Sequence, residues 1–368
     1  MRPLHPIDYI FLNLEKRQQP MHVGGLFLFQ IPEHAPSTFI QDLVADIRNS
    51  KSIPVPPFNN RLSGMFWDED EEFDIDHHFR HIALPHPGRI RELLVYISQE
   101  HSALIDRAKP LWTCHIIEGI EGNRFAMYFK IHHAMIDGVA GMRLLEKSFS
   151  KDPDSKTIIP PWCVEGKRAK RLKETKLDKA KKIYATLKGQ VESAPKVTQE
   201  LFQTVFKEMG KNPDYVSSFQ APRSLFNQRV SSSRRFAAQS FELDRFRDIS
   251  KALGVTINDV ILAVCSGAIR DYLITQDALP KKPLVAMVPA SLRDDDSDMS
   301  NRITMILANL GTDKEQPEER LEIIRRSVLH SKNRFKRMSS DQILNYSAFV
   351  FGPAGFNIAS GMKIKHLT

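Results

Sequence analysis

The feature that most constrains the fold is an apolar run that ends in two adjacent histidines. Residues 124–131, Arg-Phe-Ala-Met-Tyr-Phe-Lys-Ile, are rich in aromatic and branched side chains, which is typical of a mostly buried strand. Apolar residues in the segment 139–147 lie three and four positions apart, which predicts a helix. His132 and His133 are therefore predicted to lie where a buried strand turns towards a helix.

The turn after the histidines carries groups suited to proton transfer. An imidazole with a pKa near neutrality can take a proton from a hydroxyl group. Asp137 can hold the turn by a hydrogen bond or an ion pair, and Gly138 permits a backbone conformation that other residues resist. Taken alone, a His-His pair is more often a metal ligand or a packed core pair. Adjacent strand residues point to opposite faces, however, so the two rings are not expected to share one metal ion.

Length and charge limit the classes of protein and of partner. A chain of 368 residues is long for a single core and predicts two domains. The net charge of +8 favours anionic partners, namely nucleotide phosphates, an anionic membrane surface or nucleic acid. The basic run 166–188 has no recognisable nucleic-acid-binding module beside it, so we expect no nucleic-acid partner.

The cysteines and the apolar segments indicate a cytoplasmic protein. Cys114, Cys163 and Cys265 are widely separated and lack metal-ligand spacing, which predicts reduced thiols. Residues 1–6 lack the apolar core of a signal peptide. The uncharged stretch 343–362 has the length of a membrane span, but polar residues and a proline interrupt it, so a buried or surface-seated apolar segment is expected.

The histidine-rich stretch 76–81 resembles a metal cluster only in composition. Its neighbours are basic, and it has no helical HxxxH spacing with a glutamate. We therefore expect exposed polar structure here, and no metal site.

The first half of the chain has clear periodicity. It predicts a helix over 6–15, a strand over 23–29, and helices over 38–48 and 89–103. A loop and strand at 110–118 should form a hairpin with 124–131 through a glycine-containing turn. Trp112 is expected in the core, as large aromatic side chains usually are.

The second half predicts a further set of elements. A strand is expected over 236–243, then a helix over 246–253 that ends at Gly254, then a buried helix capped by Thr256 or Asn258. In chain order, the remaining predictions are a strand over 284–290, an apolar run over 303–310 and a charged helix over 315–337.

The sequence predicts three regions. Residues 1–155 form a first domain with the histidine motif, 156–234 form a basic and partly helical linker, and 235–368 form the second domain.

The chain resembles the bacterial wax ester synthase/acyl-CoA:diacylglycerol acyltransferases over nearly its whole length, from residues 6–8 and 15–25 to 353–355. The resemblance is carried by HHxxxDG at 132–138, PLW at Pro110, Leu111 and Trp112, ND at Asn258 and Asp259, and the Ser-Leu-Arg that ends at Arg293. It implies an α/β fold with two CoA-dependent acyltransferase-like, condensation-domain-like subdomains, whose mixed sheets surround a central tunnel. Family members continue beyond residues 363–368, so the second subdomain is expected to be incomplete.

The resemblance also implies a mechanism. His133 would be the general base that deprotonates a long-chain alcohol or diacylglycerol, and the oxygen would attack the acyl-CoA thioester directly, with no cofactor. Supporting roles are implied for other motif residues: His132 as structure, Asp137 as orienter with Arg293 as its ion-pair partner, and Asn258 as oxyanion donor. Gly355 is expected either to leave space in the tunnel or to form a turn.

The implied partners are acyl-CoA, a long-chain alcohol or diacylglycerol, and a lipid surface. The expected location is cytoplasmic, peripheral to the inner membrane or to lipid inclusions. Two alternatives stay open: a superfamily acyltransferase for a small hydroxyl or amine acceptor, and a catalytically impaired protein that binds lipid surfaces.

Overall fold

The structure is a computed structural model that describes residues 2–4, 6–49, 54–136, 138–150, 152, 159–164, 212–291, 303–336 and 338. The chain divides into two compact units. The first contains Met1–Arg171 and Val230–Gln239, and the second contains Leu172–Arg229 and Ser240–Thr368. The domain boundaries after residues 155 and 234 stay predictions. The basic run 166–188 and the stretch 343–362 lie outside the described residues.

The described part of the first unit alternates helices and strands. In chain order its elements are β1 (Arg2–Pro3), α1 (Pro6–Leu14), β2 (His22–Gln30), α2 (Phe39–Asn49), β3 (Asn60–Ser63), β4 (Phe66–Glu69), α3 (Ile75–His78), β5 (Phe79–Ala83), α4 (Ile90–Ser102), β6 (Trp112–Ile120), β7 (Arg124–His132) and α5 (Gly138–Ser148). The helices and strands predicted for this half are confirmed.

The main sheet of this unit has the strand order β2-β7-β6-β5. Strand β7 runs antiparallel to both neighbours, while β5 runs parallel to β6, so the sheet is mixed. The predicted hairpin between β6 and β7 is confirmed, and its turn uses left-handed backbone at Gly122 (φ 78°) and Asn123 (φ 56°). The central position of β7 explains why its residues are almost all buried.

The two faces of β7 pack against different layers. Phe129 and Ile131 face a large aromatic core that includes Phe58 and Trp112. Trp112 is fully buried, and its indole N–H donates to the Phe58 carbonyl at 2.8 Å. On the other face, Tyr128 packs with residues of α4 in a separate cluster. The prediction of Trp112 as a core residue is confirmed.

The expectation of exposed polar structure at 76–81 is wrong for His78. Its side chain is fully buried, donates from Nδ1 to the Trp112 carbonyl at 2.8 Å, and stacks on the Trp112 ring with centroids 4.6 Å apart. Burial lowers the pKa of His78 to about 4, because the charged imidazolium is disfavoured away from water. The short helix α3, capped by the Asp74 side chain, turns this ring inward.

The described part of the second unit consists of helices packed with a two-stranded sheet. Its elements are α6 (Leu243–Leu253), α7 (Ile257–Thr275), β8 (Val285–Ser291), β9 (Ile303–Asn309) and α8 (Pro317–Lys336). Strands β8 and β9 pair antiparallel, and buried Ile306 of β9 packs with Ile324 and Val328 of α8. Helix α6 ends at Gly254 in left-handed backbone, with φ 61°, as predicted.

The predicted strand over 236–243 is wrong. Residues 236–242 are irregular, and α6 begins at Leu243. The backbone N–H of Phe236 donates to the Ser98 hydroxyl of α4 at 2.8 Å. This N–H is therefore bonded to a helix side chain and not to the carbonyl of a neighbouring strand.

Among the described helices, none is by itself long and apolar enough to cross a membrane, but α6 and α7 together meet the criteria of length and composition across a 106° bend.

Candidate active site

The histidine pair is fixed by backbone hydrogen bonds from both sides. His132 ends β7, and its N–H donates to the Leu111 carbonyl at 2.9 Å. His133 follows in a turn, and its N–H donates to the Met21 carbonyl at 2.9 Å. The turn itself is closed by the Met135 N–H, which donates to the His132 carbonyl. Leu111 of the predicted PLW motif therefore contacts the histidine motif directly.

His132 has a defined tautomer. Its ring is fully buried, and Nδ1 accepts a hydrogen bond from the Ala134 N–H at 3.0 Å, so this nitrogen carries no proton. The remaining ring nitrogen, Nε2, lies 3.4 Å from Oε1 of Glu15. The imidazole is therefore held between a backbone donor and a carboxylate.

Glu15 is a buried carboxylate beneath the histidine pair. Its side chain is 2% exposed, and it accepts from the Met21 N–H at 3.1 Å and from Arg107 Nη2 at 3.0 Å. Burial by itself raises the pKa of Glu15. The hydrogen bonds from His132, the Met21 N–H and Arg107 outweigh burial and lower the pKa of Glu15 to about 2. Glu15 is therefore ionised at neutral pH.

His133 has a different environment from its neighbour. Its side chain is half-buried, and its ring stacks on Phe11 with centroids 5.0 Å apart and 14° between the planes. Phe11 lies on α1, and the Glu15 N–H donates to the Phe11 carbonyl at 3.1 Å, so the two residues are one helical turn apart. Helix α1 supplies the contact to His133, and Glu15, the residue after the helix, supplies the contact to His132.

Lys130 anchors the histidine strand to α4. Its ammonium group is buried and donates to the Glu100 carbonyl at 2.6 Å and the Ala103 carbonyl at 3.1 Å. Burial lowers the pKa of Lys130 to about 8. A cation at the C-terminal end of a helix is also favoured by the helix dipole.

The other predicted site residues divide into three groups. Pro110, Leu111 and Trp112 lie beside the histidine pair in the first unit, with Leu111 and Trp112 fully buried. Asn258 and Asp259 lie in the first turn of α7 in the second unit. Gly138 begins α5, while Asp137, Arg293 and Gly355 lie outside the described residues.

Asp259 has a local structural role. Its Oδ2 accepts from the Thr256 N–H at 3.0 Å and from the Thr256 hydroxyl at 2.7 Å, and its own N–H donates to that hydroxyl. This is a capping box, which confirms Thr256 as the helix cap. Asn258 is exposed.

Two functional candidates were missed by the sequence reasoning. Glu15 lies in the segment 15–25 that carries the family resemblance, but none of its neighbours in the sequence indicates that it is buried against the distant His132. Phe11 was visible only as one apolar position of a helix.

No group of three His, Cys, Asp or Glu side chains that could hold a metal ion occurs among the described residues.

Comparison with known proteins gives the family. The model of the wax ester synthase/diacylglycerol acyltransferase catalytic domain matches residues 4–261, and that of the C-terminal domain matches residues 299–368. The chain belongs to the wax ester synthase/diacylglycerol acyltransferase family. O-acyltransferase WSD of Acinetobacter baylyi is 78% identical, over 99% of this chain and 80% of that protein.

Other members of the wax ester synthase/diacylglycerol acyltransferase family agree. The "Probable diacyglycerol O-acyltransferase tgs2" of Mycobacterium tuberculosis is 37% identical over 95% of this chain and 77% of that protein. The solved wax ester synthase/diacylglycerol acyltransferase of Marinobacter aquaeolei VT8 is 42% identical, with a TM-score of 0.77 over 99% of this chain and 79% of that chain. The predicted family, the α/β fold with mixed sheets and the O-acyltransferase activity are confirmed.

Proposed function

We propose that this O-acyltransferase moves a long-chain acyl group from acyl-CoA directly to the hydroxyl of a fatty alcohol or diacylglycerol, with His133 as the general base. One observation carries the choice of His133 over His132. The His132 ring is fully buried between the Ala134 N–H and Glu15, whereas the His133 ring is half-buried and stacked on Phe11. A base must reach a substrate proton, and the half-buried ring meets that need.

The reaction needs no covalent enzyme intermediate. His133 takes the proton from the acceptor hydroxyl, the oxygen attacks the thioester carbonyl carbon, and the C–S bond breaks. The CoA thiolate then receives the proton from the imidazolium. A positioned general base typically contributes about 10² to 10⁴ in rate. His132 and Asp137 would support the base, Arg293 would pair with Asp137, and Asn258 would donate to the developing oxyanion.

The ionised Glu15 connects the two histidines to residues 15–21. Its carboxylate contacts His132, and its Oε1 accepts from the Met21 N–H, while the Met21 carbonyl accepts from the His133 N–H. The two histidines are thus joined to one short segment of chain. This arrangement holds the His133 backbone in place.

The proposed partner beyond the substrates is an anionic lipid surface at the cytoplasmic side of the inner membrane or on lipid inclusions. Helix α6 exposes apolar side chains on one face, with Leu243 46%, Ile249 44% and Leu253 53% exposed. This stripe, with the net charge of +8, supports peripheral binding to anionic lipid. The wide separation of Cys114, Cys163 and Cys265 in the sequence supports a reducing compartment.

The test is CoA release by purified protein with hexadecanol and with a diacylglycerol. His133→Ala is expected to lower turnover by about 10² to 10⁴ with both acceptors, as for loss of a general base. The matched control is His34→Ala, which changes an exposed histidine and should leave turnover unaltered. Equal CoA release by His133→Ala and the unaltered protein would show that the assigned base is wrong.

Two further readouts separate the alternatives. Turnover with short polar alcohols or amines at rates equal to hexadecanol would favour the small-acceptor transferase. Flotation with anionic vesicles in the absence of any thioester cleavage would favour a lipid-binding protein without activity.

A further inference from the structure

Residues Val230–Gln239 belong to the first unit, although residues 172–229 before them belong to the second. This segment, which we call the strap, lies against α4. The Arg234 N–H donates to the Ser102 hydroxyl at 3.0 Å, and the Phe236 N–H donates to the Ser98 hydroxyl at 2.8 Å. The strap is therefore attached to α4 through two serine side chains that lie four residues apart.

The strap fits α4 because two residues of extended chain have about the same length as one turn of helix. Ser98 and Ser102 lie one helical turn apart, about 6 Å along the axis. Two residues of extended chain cover about 6.6 Å, so alternate N–H groups of the strap can meet successive serines. Each hydroxyl also donates to a carbonyl in its own helix at 2.7 Å, Ser98 to Leu94 and Ser102 to Ser98, so its orientation is fixed.

The Arg234 side chain extends from the strap to the segment beneath the histidines. Its Nη2 donates to the Gln18 carbonyl at 2.6 Å, and its Nη1 donates to the carbonyls of Ser231 and Ser233 at 2.7 and 3.0 Å. The planar guanidinium can hold these carbonyls together because its donors are arranged in a rigid fork.

Gln18 lies in a tight turn. The backbones of Lys16 and Gln19 exchange two hydrogen bonds, of 3.1 and 2.8 Å, and close the turn. Glu15 precedes this turn and Met21 follows it. These two residues contact His132 and the His133 N–H, respectively, so the placement of residues 15–21 sets the placement of both histidines.

We propose that Arg234 is a positioning residue for acyl transfer: through the Gln18 carbonyl it holds residues 15–21 under the histidine pair. The inference rests on the proposed role of His133. Loss of the guanidinium frees the turn at Gln18, and Glu15 and Met21 then hold the two imidazoles less firmly. The contact acts on the residues that hold the proposed base, so we expect the defect in kcat and not in the KM for acyl-CoA.

The experiment compares Arg234→Ala, Arg234→Lys and the control Arg235→Ala in the full chain. Arg235 is exposed, and its side chain donates to the backbone carbonyl of Arg234, which every substitution retains. Arg234→Ala is expected to lower kcat about 10-fold to 100-fold, the range for loss of a hydrogen bond from a charged donor, with the KM for acyl-CoA unchanged. Arg234→Lys keeps the charge without the fork and should be intermediate.

Two readouts distinguish positioning from a general loss of structure. Guanidinium ion at a few millimolar should restore part of the kcat of Arg234→Ala and have no effect on Arg235→Ala. The ¹⁵N signals of the His132 imidazole should shift in Arg234→Ala and stay in place in Arg235→Ala. Arg234→Lys provides the same readouts if the alanine variant does not fold.

The inference is overturned if Arg234→Ala keeps its full kcat and an unchanged His132 signal while His133→Ala is inactive. It is also overturned if Arg235→Ala loses as much kcat as Arg234→Ala. Activity in His133→Ala would instead overturn the proposed base, whatever the Arg234 variants do.

Discussion

His132 and His133 are adjacent in the chain, but their surroundings differ. His132 is in contact with a buried carboxylate, and His133 stacks on an aromatic ring. His132 is the last residue of β7 and His133 lies in the turn that follows, so the two rings have different neighbours. The residue that distinguishes their chemistry, Glu15, comes from a different part of the chain.

Replacement of Glu15 by glutamine tests its role at the scale of one residue. The amide keeps the size but cannot carry the charge that attracts His132 and Arg107. We expect a loss of about 1–3 kcal/mol in the free energy of unfolding, because donors that faced a carboxylate lose a charged acceptor. We also expect a lower kcat.

Urea unfolding and CoA release measure the two effects of Glu15→Gln. Glu33→Gln is the matched control, because Glu33 is exposed. A Glu15→Gln protein with the stability and turnover of this control would contradict a supporting role for the carboxylate.

At the scale of elements, the pairing of β2 with β7 depends on a glycine. Gly24 pairs with Lys130, next to the buried ring of Tyr128. A Cβ at Gly24 would lie 2.7 Å from Tyr128 Cε2 and 2.8 Å from its hydroxyl oxygen, which is 2.8 Å from His101 Nδ1. The glycine is required by this close approach rather than by its backbone angles.

Gly24→Ala is therefore expected to destabilise the first unit. Tyr128 must move, and overpacking of a core of this kind costs about 1–3 kcal/mol. Urea unfolding measures the change. Gly141→Ala is the control, because a Cβ there meets nothing within 4 Å and the residue lies in α5. Equal stability of the two variants would show that the Tyr128 ring adapts without cost.

Sequence periodicity predicts some elements of the second half of the chain correctly and others wrongly. Helix α6 and its Gly254 end follow from the local sequence, since capping and apolar spacing act within a few residues. The irregular residues 236–242 do not, because a strand needs a partner strand. The Phe236 N–H bonds to Ser98, more than a hundred positions earlier in the chain.

At the scale of the whole molecule, buried histidines make stability depend on pH. Burial lowers the pKa of His22 to about 4, of His78 to about 4 and of His115 to about 3. The unfolded chain binds these protons near pH 6.5, whereas the folded chain binds them only below these lowered values. Their contribution is complete above pH 6.5 and is lost as the pH falls towards 4.

We expect the free energy of unfolding to fall steeply between pH 6.5 and 4, by about 1.4 kcal/mol per pH unit for each buried histidine. The carboxylate of Glu15, with its pKa lowered to about 2, adds to the loss only below pH 4.5. Urea unfolding across this range gives the slope. His78→Phe should lower the slope by about one proton, and the exposed His34→Phe is its control. A slope unchanged in His78→Phe would contradict the pKa assigned to His78.

The sequence alone is enough to predict the long helices and strands, the cap at Thr256, the helix end at Gly254, the burial of Trp112 and the position of the histidine motif at a strand end. These features depend on neighbours within a few residues or on a two-residue or helical period. The side chains that support the motif follow only from the tertiary structure: Phe11 of α1, Glu15 directly after that helix, Lys130 against α4, and Arg234 of the strap. Such contacts join residues that are far apart in the chain. The local sequence pattern around a residue does not indicate which distant residue it will contact.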